Sequence, residues 1–328
     1  MNFKKTALVL AMAGIVAAPM AVQAGSTGDG AYASIRVGLQ SSESAGGEGV
    51  AGGSESTTIG GYASRFGFKS ESDLGNGMTG FGQYEFQVGT EQNSFAADAS
   101  NTIRVRKAFV GIKGDFGSIN MGSGYETFYK HSVGVNDNPW AGSGYAMVAY
   151  RGRTTNNLTY AGSAGPVSYG ITLQMDGTAT DASGNQETMD ATELGLSFDA
   201  GFGTLSIATL NQKGALGTDA DVLGAALSGV AVGPVTLGVG YQQGETSGST
   251  VEPTSIVFDA GFAGAYLHLE ALDADSVTNA GDIDMTTIGY TLSLGPQTSM
   301  WFEYKDVDAA GGNAGDDTDM RAIFKYDI

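Results

Sequence analysis

Apolar and polar residues alternate one by one through residues 64–86, SRFGFKSESDLGNGMTGFGQYEF, on both sides of a Gly-Asn-Gly centre. Phe66 and Phe68 share one parity, and Arg65 and Lys69 the other. Beyond the centre, Tyr84, Phe86 and Val88 alternate with Gln83, Glu85 and Gln87. A period of two on both sides of a glycine turn predicts a β-hairpin. The polar parity is unusual for a solvent face, because it mixes charges of both signs with amides and glycine.

The same period runs through the chain. Tyr169, Ile171, Leu173 and Met175 alternate with Ser168, Gly170, Thr172 and Gln174, and Leu194, Leu196 and Phe198 with Glu193, Gly195, Ser197 and Asp199. Val235 to Tyr241, Ala265 to Leu269 and Ile288 to Leu294 repeat it. Seven short turns carry glycine or proline: 73–77, 114–117, 162–166, 200–203, 232–234, 261–264 and 294–296. Glycine supplies positive φ there and proline a fixed φ. Eight longer acidic Gly/Ser/Asp-rich stretches, at about 41–57, 89–101, 123–149, 176–190, 213–220, 245–252, 274–283 and 307–318, alternate strictly with them.

Seven turns and eight loops delimit sixteen segments, most of them about 8–12 residues long. That length suits a tilted strand crossing the hydrocarbon layer of a bilayer. The final segment places Ala322, Phe324, Tyr326 and Ile328 on one parity and Arg321, Lys325 and Asp327 on the other. An exposed aromatic edge strand invites aggregation, whereas a closed barrel needs its last strand to pair with its first. The expected first strand is about Gly30–Gln40, with Ile35, Val37 and Leu39 outward and Tyr32, Ser34 and Arg36 inward. The pattern therefore predicts an all-β transmembrane antiparallel barrel of about sixteen strands, with lipid on the apolar parity and a water-filled lumen on the polar one. Tyr62, Phe81, Tyr160, Phe202, Phe262, Trp301 and Tyr304 are candidates for interfacial aromatic girdles.

The N-terminus adds a compartment. Lys4 and Lys5 precede an apolar run from Thr6 to Met20, and Val22-Gln23-Ala24 reads as a cleavage site. Residues 1–24 are expected to be a cleaved secretory signal peptide rather than an anchor, leaving residues 25–328 as a single barrel domain. Without that leader, 14 basic residues face 35 acidic ones, a net charge of −21. That argues against nucleic acid as a partner, which needs a basic face. With no cysteine and two histidines, thiolate metal sites and cysteine nucleophiles are excluded. No loop carries an EF-hand calcium spacing, so neither cofactor nor metal is expected.

Four stretches carry a resemblance to a known family: Ser64 to Lys69 with Asp73 to Gly77; Ala108 to Lys113 with Phe116-Gly117 and Ile119 to Gly122; Arg153 to Tyr160; and the C-terminal alternating strand. On these the chain resembles the general porins of the Gram-negative outer membrane, which are sixteen-stranded and usually trimeric. It departs from them at Ile328, where the family usually ends in Phe. The resemblance implies short periplasmic turns, longer extracellular loops and a third loop folded into the lumen. It also implies passive diffusion of ions and small hydrophilic solutes, with a homotrimer, outer-membrane lipids and lipopolysaccharide as partners.

The longest loop is the third, SGYETFYKHSVGVNDNPWAGSGYAMVA at 123–149. It is rich in aromatics (Tyr125, Phe128, Tyr129, Trp140, Tyr145), as suits a partly buried loop. Helical turns are expected over Glu126–Ser132, and a turn over Asn136-Asp137-Asn138-Pro139. Of the fourteen basic residues only Lys130 and Lys213 lie in loops. Charges at membrane depth must face the lumen, since a lipid-facing one costs about 2–4 kcal/mol at the midplane. Arg36, Arg65, Lys69, Lys107, Arg151, Arg153 and Arg321 thus form a candidate basic wall, faced by Glu126 and Asp137 of the third loop. Gln83, Glu85, Glu303 and Lys325 are further lumen-facing candidates. Such a transverse field sorts ions and orients dipolar solutes. Arg104 and Arg106 oppose Lys107 and Lys113 in parity, so either one set lies above the bilayer or a bulge intervenes. Acidic mouths and a basic wall pull selectivity in opposite directions.

Other functions fit less well. An outer-membrane hydrolase needs a nucleophile with a base; Ser132 beside His131 is no triad, and His268 stands alone in its strand. A loop-borne binding or adhesion role favours longer loops than these. A β-solenoid would show a fixed short repeat.

Overall fold

The computed structural model describes residues 30–44, 54–89, 103–134, 137, 146–175, 177–181, 183–214, 219–247, 249–274, 281–309 and 317–328. The expected signal peptide, and Asn136, Asn138, Pro139, Trp140 and Tyr145 of the third loop, lie outside these residues.

Alternating sequence becomes antiparallel sheet throughout. The strands are β1 (Gly30–Ser44), β2 (Ser54–Gly61), β3 (Ser64–Gly75), β4 (Met78–Val88), β5 (Ile103–Gly114), β6 (Gly117–Tyr125), β7 (Arg153–Ala164) and β8 (Val167–Gln174). They continue as β9 (Ala191–Asp199), β10 (Thr204–Gln212), β11 (Ala220–Val232), β12 (Val235–Thr246), β13 (Thr254–Phe262), β14 (Ala265–Asp273), β15 (Ile283–Ser293), β16 (Thr298–Ala309) and β17 (Asp317–Asp327). Both β2 and β3 pair with β1, so together they make one stave and the barrel has sixteen. The stave breaks at Tyr62-Ala63, where Ala63 has φ +51°. There the Ser64 hydroxyl accepts from the Arg36 amide at 2.8 Å and donates to the Arg36 carbonyl at 3.0 Å, replacing ladder bonds lost at the kink.

The barrel closes between its first and last strands. β1 pairs antiparallel with β17 from Ser34 against Asp327 to Ser44 against Asp317. Ala33 and Ile328 exchange backbone bonds at 2.9 and 3.1 Å beyond that run. Closure leaves no unpaired edge for lipid to meet. Strand β1 runs four residues past the expected Gln40 and β2 begins at Ser54, so the first loop is shorter than the 41–57 expected.

All seven short turns connect adjacent strands where their glycines stand. In the first, Asn76 and Gly77 have φ +54° and +75°, the left-handed pair that a tight hairpin needs. The apolar parity lies on the outside: Ile35, Phe68, Leu196, Ile207, Ile256 and Phe324 are all exposed large apolar residues. Phe202, Phe262 and Tyr304 are exposed among the expected girdle aromatics, and Tyr160 shares the outer parity. Tyr62, Phe81 and Trp301 are not girdle residues. Arg321 lies over the Tyr62 ring, Lys113 over Phe81, and both Arg36 and Lys325 over Trp301. Phe81 and Trp301 share parity with Glu85 and Glu303, so the pleat turns them inward.

Candidate pore constriction

The described parts of the third loop, between β6 and β7, enter the barrel and lie on its β7–β14 wall. The expected helical turn forms, ending in a π-helical turn at Tyr129–Val133. Phe128 is fully buried and packs with Met147, Ala191, Ala208, Leu210, Val222 and Val257. Burying such a side chain contributes on the order of 2–3 kcal/mol. Ala208 and Leu210 are therefore apolar on the lumenal parity of β10, where water would otherwise stand.

Glycine makes room for this seat. A Cβ at Gly170 would come within 2.8 Å of Thr127, and one at Gly195 within 2.5 Å of His131. At Gly224 it would strike Ser132, and at Gly244 it would come within 2.6 Å of Val148. On these strands the lumenal glycines leave space for the loop rather than for solvent.

Polar bonds fix the rest of the loop. Thr127 and Thr172 hydroxyls meet at 2.9 Å, and His131 Nδ1 meets the Ser197 hydroxyl at 2.7 Å. The Phe128 amide donates to Glu193 at 2.8 Å. On the return path the amides of Ala146, Val148 and Ala149 donate to Glu270, Ser255 and Gln242. Burial, with Lys130 adjacent, holds the His131 imidazole below its ordinary pKa. Burial and the neighbouring Asp137 push the Tyr129 hydroxyl far up, so it stays protonated and donates to Asp137 at 2.5 Å.

The opposite wall carries the basic residues. Arg36, Arg65, Lys69 and Lys325 border a recess of about 410 Å³, together with Gln83 and Glu85. Gln83 donates to the Tyr32 hydroxyl at 2.5 Å, and Tyr32 donates to Glu85 at 3.0 Å. Arg36 donates to the Ser34 hydroxyl at 2.9 Å and lies 5.6 Å from the centre of Trp301. Lys107 and Arg153 both lie over Tyr125, the last residue of β6 before the inward loop, at 5.6 and 5.2 Å. Arg321 and Lys305 share Asp319 at 2.8 and 3.0 Å, and Lys325 pairs with Asp327 at 2.7 Å. Glu303 accepts from the Tyr266 hydroxyl.

Three candidates sit elsewhere than expected. Arg151 lies on the loop side, bonded to Glu193 at 2.9 Å and Gln174 at 3.0 Å. Glu126 is buried and accepts from Thr159 of β7 at 2.6 Å, rather than opposing the basic wall across open space. Asp137 accepts from the hydroxyls of both Tyr129 and Tyr150, at 2.5 and 2.8 Å. Buried or half-buried carboxylates take hydrogen-bond donors, and here the threonine and the tyrosines supply them.

Two residues escaped the alternation argument. Arg106 occupies a bulge: Glu85 pairs with Lys107 and Phe86 with Val105, leaving Arg106 as the extra residue. The bulge resolves the parity conflict, because Arg104, Arg106 and Lys107 all face the lumen. Arg106 bonds Glu85 at 2.9 Å, and both Arg104 and Arg106 bond Gln87. The run of cations at 104, 106 and 107 was its only trace in the sequence. Glu193, on the polar parity of β9, left no trace of its role beyond that parity. His268 is not alone: its ring nitrogens meet Asp259 at 2.6 Å and Glu270 at 2.8 Å in a fully buried cluster.

A closed sixteen-stave barrel with an apolar exterior, a charged lumen and a third loop folded inside is an outer-membrane pore architecture. The family profile described as Gram-negative porin matches residues 6–328, and the chain belongs to that family in the outer membrane. Outer membrane porin F of Escherichia coli K12 is 37% identical over 102 residues, covering 31% of this chain and 26% of that protein. The OmpD porin of Salmonella typhimurium LT2 is 36% identical over 101 residues, covering 29% and 27%. The aligned stretches thus span about a quarter of these curated relatives. Among solved structures, the anion-selective porin from Comamonas acidovorans superimposes with a TM-score of 0.69 at 15% identity, over 91% of this chain and 98% of its own. Salmonella typhi OmpF, in complex with daunomycin, gives 0.69 at 17% identity over 92% and 98%. The trimer form of OmpT from Vibrio cholerae gives 0.67 at 14% over 91% and 98%.

Proposed function

We propose that the chain forms a water-filled channel for passive diffusion of ions and small hydrophilic solutes, narrowed between the basic wall and the inward loop. One observation carries this reading: the loop is bonded along β7–β14, while the cationic side chains line the wall it leaves uncovered. Solute passing between them meets a transverse field and no apolar barrier. The charge pattern excludes lipid from the lumen, and the seated loop sets the width.

The active unit is a homotrimer in the outer membrane, in contact with lipids and lipopolysaccharide; the trimeric form of the OmpT relative supports it. Catalysis is not part of the function. Both ring nitrogens of His268 are engaged by carboxylates and His131 is buried against Ser197, so neither imidazole offers a free base to a solute.

Single-channel recording of the refolded protein in a planar bilayer tests the reading. Stepwise insertion of large ohmic conductances, in groups of three, is expected. A folded, inserted chain that passes no current would overturn it.

A further inference from the structure

A buried ionic cluster lies in the wall where the third loop returns to it. His268 on β14 is fully buried between two carboxylates. Its Nδ1 meets Asp259 of β13 at 2.6 Å, and its Nε2 meets Glu270 at 2.8 Å. Glu270 uses its other oxygen to accept from the Ala146 amide of the loop, also at 2.8 Å. The series of contacts thus runs from β13, through β14, into the returning limb of the loop. The second Asp259 oxygen is buried and has no hydrogen-bond partner among the described residues, so the imidazole ring is what compensates that carboxylate.

Counting protons fixes the state of the ring. An ionised carboxylate can only accept a hydrogen bond, so each of the two short contacts needs a proton between its heavy atoms. A neutral imidazole has a single N–H and fills only one of them. The cluster therefore holds one proton more than a neutral ring with two carboxylates. Without it, a ring lone pair would face a carboxylate oxygen inside the wall, where nothing screens the repulsion. The titratable groups next along the wall are engaged with one another. Beyond Thr287, opposite His268 on β15, Lys305 of β16 pairs with Asp319 of β17 at 3.0 Å, and Tyr266 donates to Glu303. From the loop, the Ala146 amide is the described group that meets the cluster.

We propose that His268 is a positioning residue of the passage: as an imidazolium it fixes Glu270, and through Glu270 the returning limb of the third loop, so that loss of its extra proton in alkaline solution lets that limb leave the wall. The linkage has one sign. The docked limb holds a proton that the released limb gives up, so this hold is complete while the proton is present and weakens as pH rises. His131, the other histidine of the chain, acts at the outgoing limb and on the acid side. The effect on current rests on the channel reading above, whereas the brace itself belongs to the folded chain.

The test follows the full chain from about pH 7 to about pH 10, short of the ordinary lysine pKa of about 10.4. Protease cleavage within the third loop is measured in detergent, and open-channel current in a planar bilayer. Cleavage should rise with pH by up to about tenfold per pH unit, the steepest slope one proton allows, and the current should grow noisier. Nitrogen-15 NMR reads the ring directly, and with two histidines in the chain its signals are simple to assign. Both ring nitrogens of His268 should carry protons at neutral pH. Glu270→Gln is the discriminating variant. Its side-chain carbonyl still accepts from Ala146 and its amide donates to Nε2, so a neutral ring satisfies every contact. Its loop should stay docked, with a flat profile over the same range. His268→Gln should be loose already at neutral pH, and equally flat. A flat wild-type profile, a rise that Glu270→Gln leaves unchanged, or a singly protonated ring at neutral pH overturns the brace and leaves the channel standing. A folded, inserted chain without current overturns the channel, and the cleavage profile still decides the brace.

Discussion

Glu193 on β9 bonds Arg151 at 2.9 Å, and this pair ties down the end of the inward loop. The other oxygen of the same carboxylate accepts from the Phe128 amide at 2.8 Å, near the loop's start. One buried side chain thus clamps both ends of a segment that sets the width of the passage. Arg151 is held at φ +43°, an uncommon conformation for a residue with a side chain, and the bridge is what over-determines it.

Glu193→Ala should therefore release the loop at two points. Removing one partner of a buried ion pair costs about 3–5 kcal/mol. The expected result is a noisier open-channel current and faster hydrogen exchange at the Phe128 amide, with the barrel intact. A quiet current and unchanged exchange would show that the loop is seated without the clamp.

The glycine seat makes a second prediction. Gly195→Val puts carbon where the His131 ring lies, and Gly224→Val does the same against Ser132. The loop must then rise from the wall toward the passage. Single-channel conductance should fall in both variants; conductance at the wild-type level would mean that the wall yields instead.

Acid should loosen the loop through His131. Its pKa is lowered in the folded chain by burial and by Lys130. Docking is therefore undiminished above the ordinary histidine pKa of about 6.5 and weakens as pH falls through the lowered value. The Glu193 and Glu126 carboxylates hold the same end of the loop, so a variant isolates the part played by the imidazole. His131→Gln retains a partner for Ser197 without the titration. Between about pH 7.5 and pH 4.5 the wild type should show rising protease sensitivity of the loop, and the variant a flatter profile. Identical profiles would show that the His131 imidazole does not control the docking.

The outer face makes a fourth prediction. Leu196 is exposed on the lipid side of β9, one residue from the buried lumenal Ser197. Leu196→Arg should destabilise the barrel by about 2–4 kcal/mol at mid-membrane depth. Urea unfolding from lipid vesicles measures it. Stability within error of wild type would place Leu196 away from the hydrocarbon.

The staves, the seven hairpin turns and the oily face were all legible in the alternation of residues, whereas the inward course of the third loop was implied by the family resemblance. Each depends on near neighbours: a strand inverts its side chains every residue, and glycine marks a turn within two or three positions. The pairing of Ile35 and Val37 with Tyr326 and Phe324 follows from the same rule once the barrel closes. Parity also contained the inward direction of Phe81 and Trp301, although their aromatic character suggested the membrane interface.

The passage itself was decided by tertiary structure. That both Arg106 and Lys107 face the lumen depends on a bulge opposite Glu85, which appears only when β4 and β5 are laid side by side. The partners of Glu126, Asp137 and Glu193 depend on where the third loop comes to rest. That is set by Phe128 finding an apolar pocket and by glycines on strands 40 to 120 residues away in sequence. Local pattern determines which way a side chain points from its strand. Which charge it meets across the lumen is a distance between remote segments, and only the closed barrel sets that distance.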